Sequence, residues 1–464
     1  MRWFTSTTAL TLLAIPGLGC TKEAPPPPPS APIVAEGLWS TEGYGQVIDI
    51  GTDTVRGLEV TSVSCLPGFT GTRVPPPVGA LAAFTLTEDP LTIALLPDGS
   101  SGRLRLHLDY AASDMIARRI AQRPAACNAA TPGTPLSTFE TFAATWAEHY
   151  PFFADKSTDW AAVVAAHRGK VTARTTPGEL FAVLKDMIEP LHDAHSFIAA
   201  PTVNKEFGGY RKSASWVERG DRDKVYGLVK PYLSGPLHSF CEGRLEFGML
   251  GTDIAYLRIR GFAGYTKDGA FEPGQAALEA ALDTVFAAAR GWKGLVVDVR
   301  INGGGADPYG LAIASRLTST TYTAYAKQAR GDPANASVWT AEQPSVVRPS
   351  TRPGFAGPVV ELIGIQSVSA AETFTQALLK RTPPVTRVGE NTQGVFSDVL
   401  VRHLPNTWRF GLPNERFVTD GKTFDGAGIA PDVPVQSFHP AGIKSGKDAG
   451  LEKAFELLGG RKNQ

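Results

Sequence analysis

Apolar positions along the chain follow two different periods, and the change between them divides the sequence. From 37 to about 120 the runs are short. Val47-Ile48-Asp49-Ile50, Leu58-Glu59-Val60-Thr61-Ser62-Val63 and Leu104-Arg105-Leu106-His107-Leu108 are β-branched or alternate apolar with polar residues, with Gly, Asp and Pro clusters between them. They predict strands of a small β-rich unit, in which Trp39, Tyr44 and His107 read as packing residues. From Phe139 the period becomes helical: Phe139, Phe142, Ala143 and Trp146 share one face, and Tyr150-Pro151 ends it. Asp159-Trp160 opens a second helix, and Leu180, Phe181, Leu184, Met187, Ile188 and Leu191 line one side of a third. Beyond 245 strand and helix alternate, with strands at 254–259, 294–299 and 359–363 and helices at 276–289 and after Ser369. Such alternation predicts an α/β core. The Ala/Thr/Gly/Pro-rich stretch 124–135 marks a boundary. The expected organisation is a β-rich domain at 37–123, a linker at 124–137, a helical cap region at 138–245 and an α/β core at 246–464, with the β unit separable from the rest.

Charge and composition narrow the function. The 464 residues carry 45 Lys+Arg and 45 Asp+Glu, a net charge of zero, and show no dense basic block, which argues against a nucleic-acid partner. At 43% hydrophobic and 19% charged the chain is an ordinary globular one. No HExxH or CxxC spacing is present, and no metal or organic cofactor is implied. At the N-terminus Arg2 precedes an apolar run at 9–15 that is too short to span a bilayer. With Gly19-Cys20 it resembles a bacterial lipoprotein signal, which implies cleavage after residue 19 and a lipid on Cys20. Gly17 stands where such signals usually have Leu, and a plain secretory signal with an incidental Cys20 is the alternative. Residues 20–36, with prolines at 25–29 and 32, are expected to form an extended tether. The expected location is the bacterial cell envelope, facing periplasm or exterior, with membrane contact only through the lipid. An exported context permits a Cys65–Cys127 bridge that leaves Cys241 unpaired, although sequence does not choose the connectivity.

Three segments could carry chemistry. Ser369-Ala370-Ala371-Glu372 lies where a strand ends and a helix begins, which puts the serine beside the free N–H groups of a first helical turn. Those donors can stabilise an oxyanion formed when the hydroxyl attacks a carbonyl. Ser-x-x-Glu is equally a capping box, which only satisfies backbone donors. Gly303-Gly304-Gly305 after a strand lets backbone N–H groups approach a ligand, yet no GxGxxG or GxxxxGK[ST] is completed, and a bare glycine turn explains it as well. His195, just past a helix, is by itself as consistent with a satisfied core histidine.

Taken together and in order, these segments resemble the C-terminal-processing and tricorn-like serine peptidase family. Asp193-Ala194-His195-Ser196 is similar to its Asp-Gly-His-Ser segment. Val297-Asp298-Val299-Arg300-Ile301-Asn302-Gly303-Gly304-Gly305 is similar to its strand and glycine loop, and Ser367-Val368-Ser369-Ala370-Ala371-Glu372 to its nucleophile motif. Gly389-Glu390-Asn391-Thr392-Gln393-Gly394 and Asp425-Gly426-Ala427-Gly428 also fit, so the likeness runs from about 139 to 458. It implies a crotonase/ClpP-like ββα catalytic core and an exported endopeptidase acting on protein or peptide substrates through an acyl-enzyme. The lysine used by one branch has no counterpart, since 389–410 holds none. The histidine-using branch is the better match, and it implies Ser369 as nucleophile, His195 as base, and the N–H groups of Gly304 and Ala370 as the oxyanion hole. Ala194 stands where tricorn has a serine. Asp425, then Glu415, are the candidates to orient the imidazole. No PDZ module is expected between 201 and 247. The rival is a non-catalytic binding protein of the same fold, with a groove lined by Phe197, Phe396 and Trp408.

Overall fold

In a computed structural model of the protein, residues 34–460 are described apart from 89, 90 and 101. The signal segment, Cys20 and most of the tether lie outside the described residues.

Gly37–Thr41, Gln46–Ile50, Thr54–Val60, Cys65–Val74, Ala82–Leu86, Thr92–Pro97, Arg103–Leu108 and Met115–Arg119 pair in chain order, and the first meets the last to close a barrel. Closure leaves no free edge. Alternate residues point inward, so Trp39, Ile48, Ile50, Val55, Phe84, Leu95, Leu104 and Leu106 fill the interior.

The core sheet is of a different kind. Its seven strands run in the order His238–Phe240, Leu245–Leu250, Ile254–Ile259, Gly294–Asp298, Val359–Ile363, Thr386–Gly389 and Val433–Pro434. The strands from Ile254–Ile259 onward are parallel. Helices Phe271–Phe286, Asp307–Arg316 and Ala370–Leu378 cover one face, against Leu257, Val297 and Ile363. Ala449–Leu457 covers the other, against Tyr256, Val296 and Leu362. Both faces are therefore buried, which is why these strands read as continuous apolar runs. The architecture is mixed α/β.

Helices Pro135–His149, Trp160–Arg168 and Pro177–Ile188 form a second core with Trp408, Phe410 and Leu412. The expected cap is not purely helical, because Phe197–Ala200 and Lys205–Gly208 join Arg409–Pro413 and Val399–His403 in a four-stranded sheet. Two strands of four residues flanked by a 3-10 turn carry too little alternation to be seen in sequence.

The connector is also more ordered than a linker. Cys127, in a 3-10 turn, is bridged to Cys65, and the Thr131 hydroxyl accepts from the Cys65 N–H at 3.1 Å. Thr134 then caps Pro135–His149. The barrel docks on the core through polar contacts. Tyr44 donates to Glu415, the Asn414 side chain donates to the Gly43 carbonyl at 3.1 Å, and the His403 N–H donates to Glu59 at 2.7 Å.

Candidate functional site

The strand Gly294–Asp298 ends in a buried ionic knot that fixes the glycine loop. Arg300 donates to Asp298 at 2.9 and 2.6 Å and to Asp448 at 2.6 and 2.8 Å, and Asp448 also caps Ala449–Leu457. One planar guanidinium thus hydrogen-bonds both carboxylates, and Arg258 adds a second positive charge near Asp298, the kind of pairing that makes burial of such groups tolerable. Two residues on, Asn302 donates to the Ile259 carbonyl at 3.0 Å and accepts the Gly304 N–H at 2.9 Å.

Gly304 sits at φ +89°, and a Cβ there would lie 2.6 Å from the Ser369 Cβ and 2.9 Å from the Ala370 nitrogen. Glycine is required by this approach as well as by the dihedral. The Gly304 N–H is held by Asn302 rather than turned toward Ser369. Ala370 is the first helical residue, so its N–H has no intrahelical acceptor.

Ser369 is the N-cap of Ala370–Leu378, at φ 58° and ψ −123°. Caps ordinarily have extended dihedrals. A non-glycine residue here is strained by about 1–3 kcal/mol, a cost found where the surroundings force a side chain outward. Those surroundings are closed: from Gln366 to Leu378 every residue is buried except Ser369. Glu372 accepts the N–H groups of Ser369, Gly394 and Val395 at 3.3, 2.6 and 2.8 Å, and burial pushes its carboxyl up to about 8. The expected Ser-x-x-Glu box is present, and Glu372 also ties the turn to 394–395.

His195 is buried on the loop after Pro177–Ile188 and Glu189–Leu191. Its backbone N–H donates to Asp193 at 3.0 Å, and Tyr150 donates to the other oxygen of Asp193 at 3.0 Å. Gly209 makes room for this loop, since a Cβ there would meet the Asp193 carbonyl at 2.3 Å. The His195 loop meets the Ser369 turn through Ala194, Val368 and Val395, which pack together. No hydrogen bond joins the two side chains among the described residues, and such bonds often tighten only when substrate is bound. Burial lowers the imidazole below its ordinary value against the opposing pull of Asp193 and Asp398, and the Ser397 backbone acts on the ring. His195 is thus neutral near pH 7.

Neither expected orienting carboxylate is hydrogen-bonded to His195. Asp425 accepts from the Phe396 N–H at 3.1 Å and from Thr423, and burial raises it to about 7. Glu415 accepts from Tyr44, from the Asp398 N–H at 3.1 Å, and from Lys327 at 3.1 Å. The carboxylates whose charge acts on the imidazole are Asp193 and Asp398, without a hydrogen bond to the ring among the described residues. Sequence reasoning treated Asp193 only as part of a motif and missed Asp398, Tyr150 and Lys156. Lys156 is lowered by burial while Asp193 and Asp425 act on it, and nothing in its local sequence signals that. The rival's groove is not formed: Trp408 is fully buried in the helical core and Phe396 in the sheet core. Cys241 is unpaired. Among the described residues no group of three His, Cys, Asp or Glu could hold a metal ion, and no helix is long and apolar enough to cross a membrane.

The profile of peptidase family S41 matches residues 253–435, the stretch that holds the glycine loop, Ser369 and Asp425. A solved structure of a candidate peptidase from Parabacteroides merdae ATCC 43184 is similar at 25% identity and a TM-score of 0.60, covering 70% of this chain and 96% of that one. Mature CPAF complexed with lactacystin shares the fold at 13% identity and a TM-score of 0.51, covering 70% of this chain and 97% of that one. No curated protein matches the chain.

Proposed function

We propose, from the premise that the chain belongs to peptidase family S41 and is a serine peptidase, that it is an exported endopeptidase in which Ser369 attacks the scissile carbonyl and His195 takes its proton. The observation that carries the assignment is the strained, solvent-reaching Ser369 at the head of an otherwise buried helix. A capping serine has no need of φ 58°, whereas a nucleophile that must project from a packed turn does.

The reaction follows from the parts present. Neutral His195 accepts the Ser369 proton as the hydroxyl adds to the carbonyl, then returns it to the leaving amine. Water repeats the sequence on the acyl-enzyme. The developing oxyanion lies against the Ala370 N–H and the positive end of Ala370–Leu378. A second donor from Gly304 requires its peptide to turn away from Asn302. Asp193 positions the histidine loop and, with Asp398, favours the imidazolium that forms.

The core is read as crotonase/ClpP-like, and the protein as lipid-anchored at Cys20 in the cell envelope. The substrates are proteins or peptides. A fluorophosphonate probe tests the assignment: it should label the wild type at Ser369 and leave Ser369→Ala unlabelled. Labelling elsewhere, or none, removes Ser369 as the nucleophile.

A further inference from the structure

A cleft of about 640 Å³ opens beside the glycine loop, and the chemistry above leaves it unassigned. Gly305 and Ala306 line it directly, next in the chain to Gly304, which makes the close approach to Ser369. Leu91 from a barrel turn, with Phe271 and Pro273 from the start of Phe271–Phe286, adds apolar surface. Asp109 from a second barrel turn, Asp268 and Glu272 also line it, and no Lys, Arg or His does among the described residues. Arg244, which lies against Gly264, stays outside the lining. The main chain of the loop is open here as well. Phe262 donates to the Gly304 carbonyl and accepts from the Ala306 N–H, both at 2.8 Å. In that parallel pairing the N–H and C=O of Gly305 face away from Phe262, and neither has a hydrogen-bond partner among the described residues.

The core sheet fixes which side of Ser369 this cleft occupies. Ile254–Ile259, Gly294–Asp298, Val359–Ile363 and Thr386–Gly389 lie side by side and parallel, so the segments leaving their C-terminal ends line up in the same order. Those segments are 260–270, the glycine loop, the Ser369 turn and 390–395. The cleft lies at the first two, and Val395, against which the histidine loop packs through Ala194, belongs to the last. In that order Ser369 stands between the cleft and the histidine loop. The imidazole hands its proton to the leaving amine, so the acyl half of the peptide lies on the other side. We propose that this cleft is the subsite for an acyl-side residue of the substrate with an apolar stem and a cationic head, Arg or Lys. This rests on the Ser369–His195 reading. The stem covers Leu91, Phe271 and Pro273, as long basic side chains do elsewhere, and the head meets the field of the three carboxylates. The free peptide groups of Gly305 supply main-chain pairing for any sequence, and the cleft supplies the preference. Its volume lies within the roughly 300–1,000 Å³ of ligand-binding clefts.

The test uses the full-length protein and a quenched-fluorescent peptide library varied at the three positions before the cut. At one of them Arg or Lys should raise kcat/KM by about tenfold or more over Glu, because attraction of one and repulsion of the other act together. Neutralising all three carboxylates, as Asp109→Asn, Asp268→Asn and Glu272→Gln in one chain, should abolish the preference. Glu272→Lys, at an exposed residue, should shift it toward Glu. Fluorophosphonate labelling of each variant verifies a reactive Ser369, and if one variant is not labelled the other decides. A labelled wild type with no cationic preference, or with an apolar preference alone, overturns the subsite. So does a cationic preference that survives in the variants, or one confined to positions after the cut. An unlabelled and inert wild type overturns the Ser369–His195 reading instead, and the subsite with it.

Discussion

The barrel and the core sheet bury their strands by opposite means. A core strand such as Val359–Ile363 is buried at every position, because helices cover both faces. A barrel strand such as Thr54–Val60 alternates exposed or half-buried with buried residues, because only its inner face is covered. The two also meet other elements differently. The core packs apolar on apolar, whereas the barrel is held to it by directional polar contacts at Tyr44, Glu59 and Asp114. Directional contacts fix an orientation more than they add stability, and here the orientation is what sets the barrel mouth beside the strand leading to Ser397. Ser369 and His195 both lie outside the barrel, which forms one wall of a cleft that Asp398 enters.

The largest effect should come from the core. Ser369→Ala and His195→Ala should each lower kcat by about 10⁴ to 10⁶, and the double variant should be scarcely worse than either single one, because groups acting as a unit lose together. If the serine were only a cap, its loss would cost about 1 kcal/mol of stability and leave turnover intact in the folded protein. Steady-state kinetics beside a denaturation curve separates the two.

The barrel should respond in stability first. The Cys65–Cys127 bridge spans 62 residues, so replacing both cysteines by serine should cost about 4 kcal/mol by the chain-entropy estimate, read as a lower denaturant midpoint. Activity of the remaining folded protein should be preserved, because neither cysteine approaches the site. A smaller loss is expected at the interface. Tyr44→Phe leaves buried Glu415 without one of its donors, a change worth about 1–3 kcal/mol. These contacts also bear on the expected separability of the β unit. A fragment starting near residue 137 would strip partners from Glu415, Asn414 and the His403 N–H, and should show reduced stability by calorimetry rather than the behaviour of an independent core.

What could be read from sequence follows the same divide. The strands Ile254–Ile259 and Val359–Ile363 and the helix after Ser369 were legible because two-sided burial writes uninterrupted apolar runs. In the barrel, Gln46–Ile50 and Arg103–Leu108 were visible, Thr54–Val60 was met only at its end because the run read as strand was 58–63, and Cys65–Val74 holds Pro67, Gly68 and Gly71 and looks like a loop. Closure depends on a pairing of Trp39 with Arg119, which no local pattern records. At the site, Ser369, His195 and the glycine loop were legible as ordered motifs. Asp398 and Lys156 were not, since each reaches the histidine loop through folding alone. Tyr44 was read as packing, and its hydroxyl proved to be a contact to a carboxylate 371 residues away.

The smallest effects decide which carboxylates act on the histidine. Only neutral His195 accepts a proton, so kcat/KM should fall as pH drops through its pKa in the free enzyme. Burial holds that pKa below the ordinary imidazole value, so activity near pH 7 lies on the plateau and the acid limb is displaced downward. Asp193 and Asp398 oppose that displacement, because a negative charge nearby favours the imidazolium. Neutralising either, as Asp193→Asn or Asp398→Asn, should move the limb further down in pH. Asp193→Asn should also lower the plateau, since the same side chain receives the His195 backbone N–H and the Tyr150 hydroxyl and so holds the histidine loop. Asp425→Asn and Glu415→Gln make the contrast, because their oxygens are engaged by Phe396 and Thr423 in one case and by Tyr44 and Lys327 in the other. For both, the limb should stay where the wild type has it, whatever happens to stability. A limb that shifts with Asp425→Asn and not with Asp193→Asn would return the orienting role to Asp425 and leave Asp193 as a loop-holding group only.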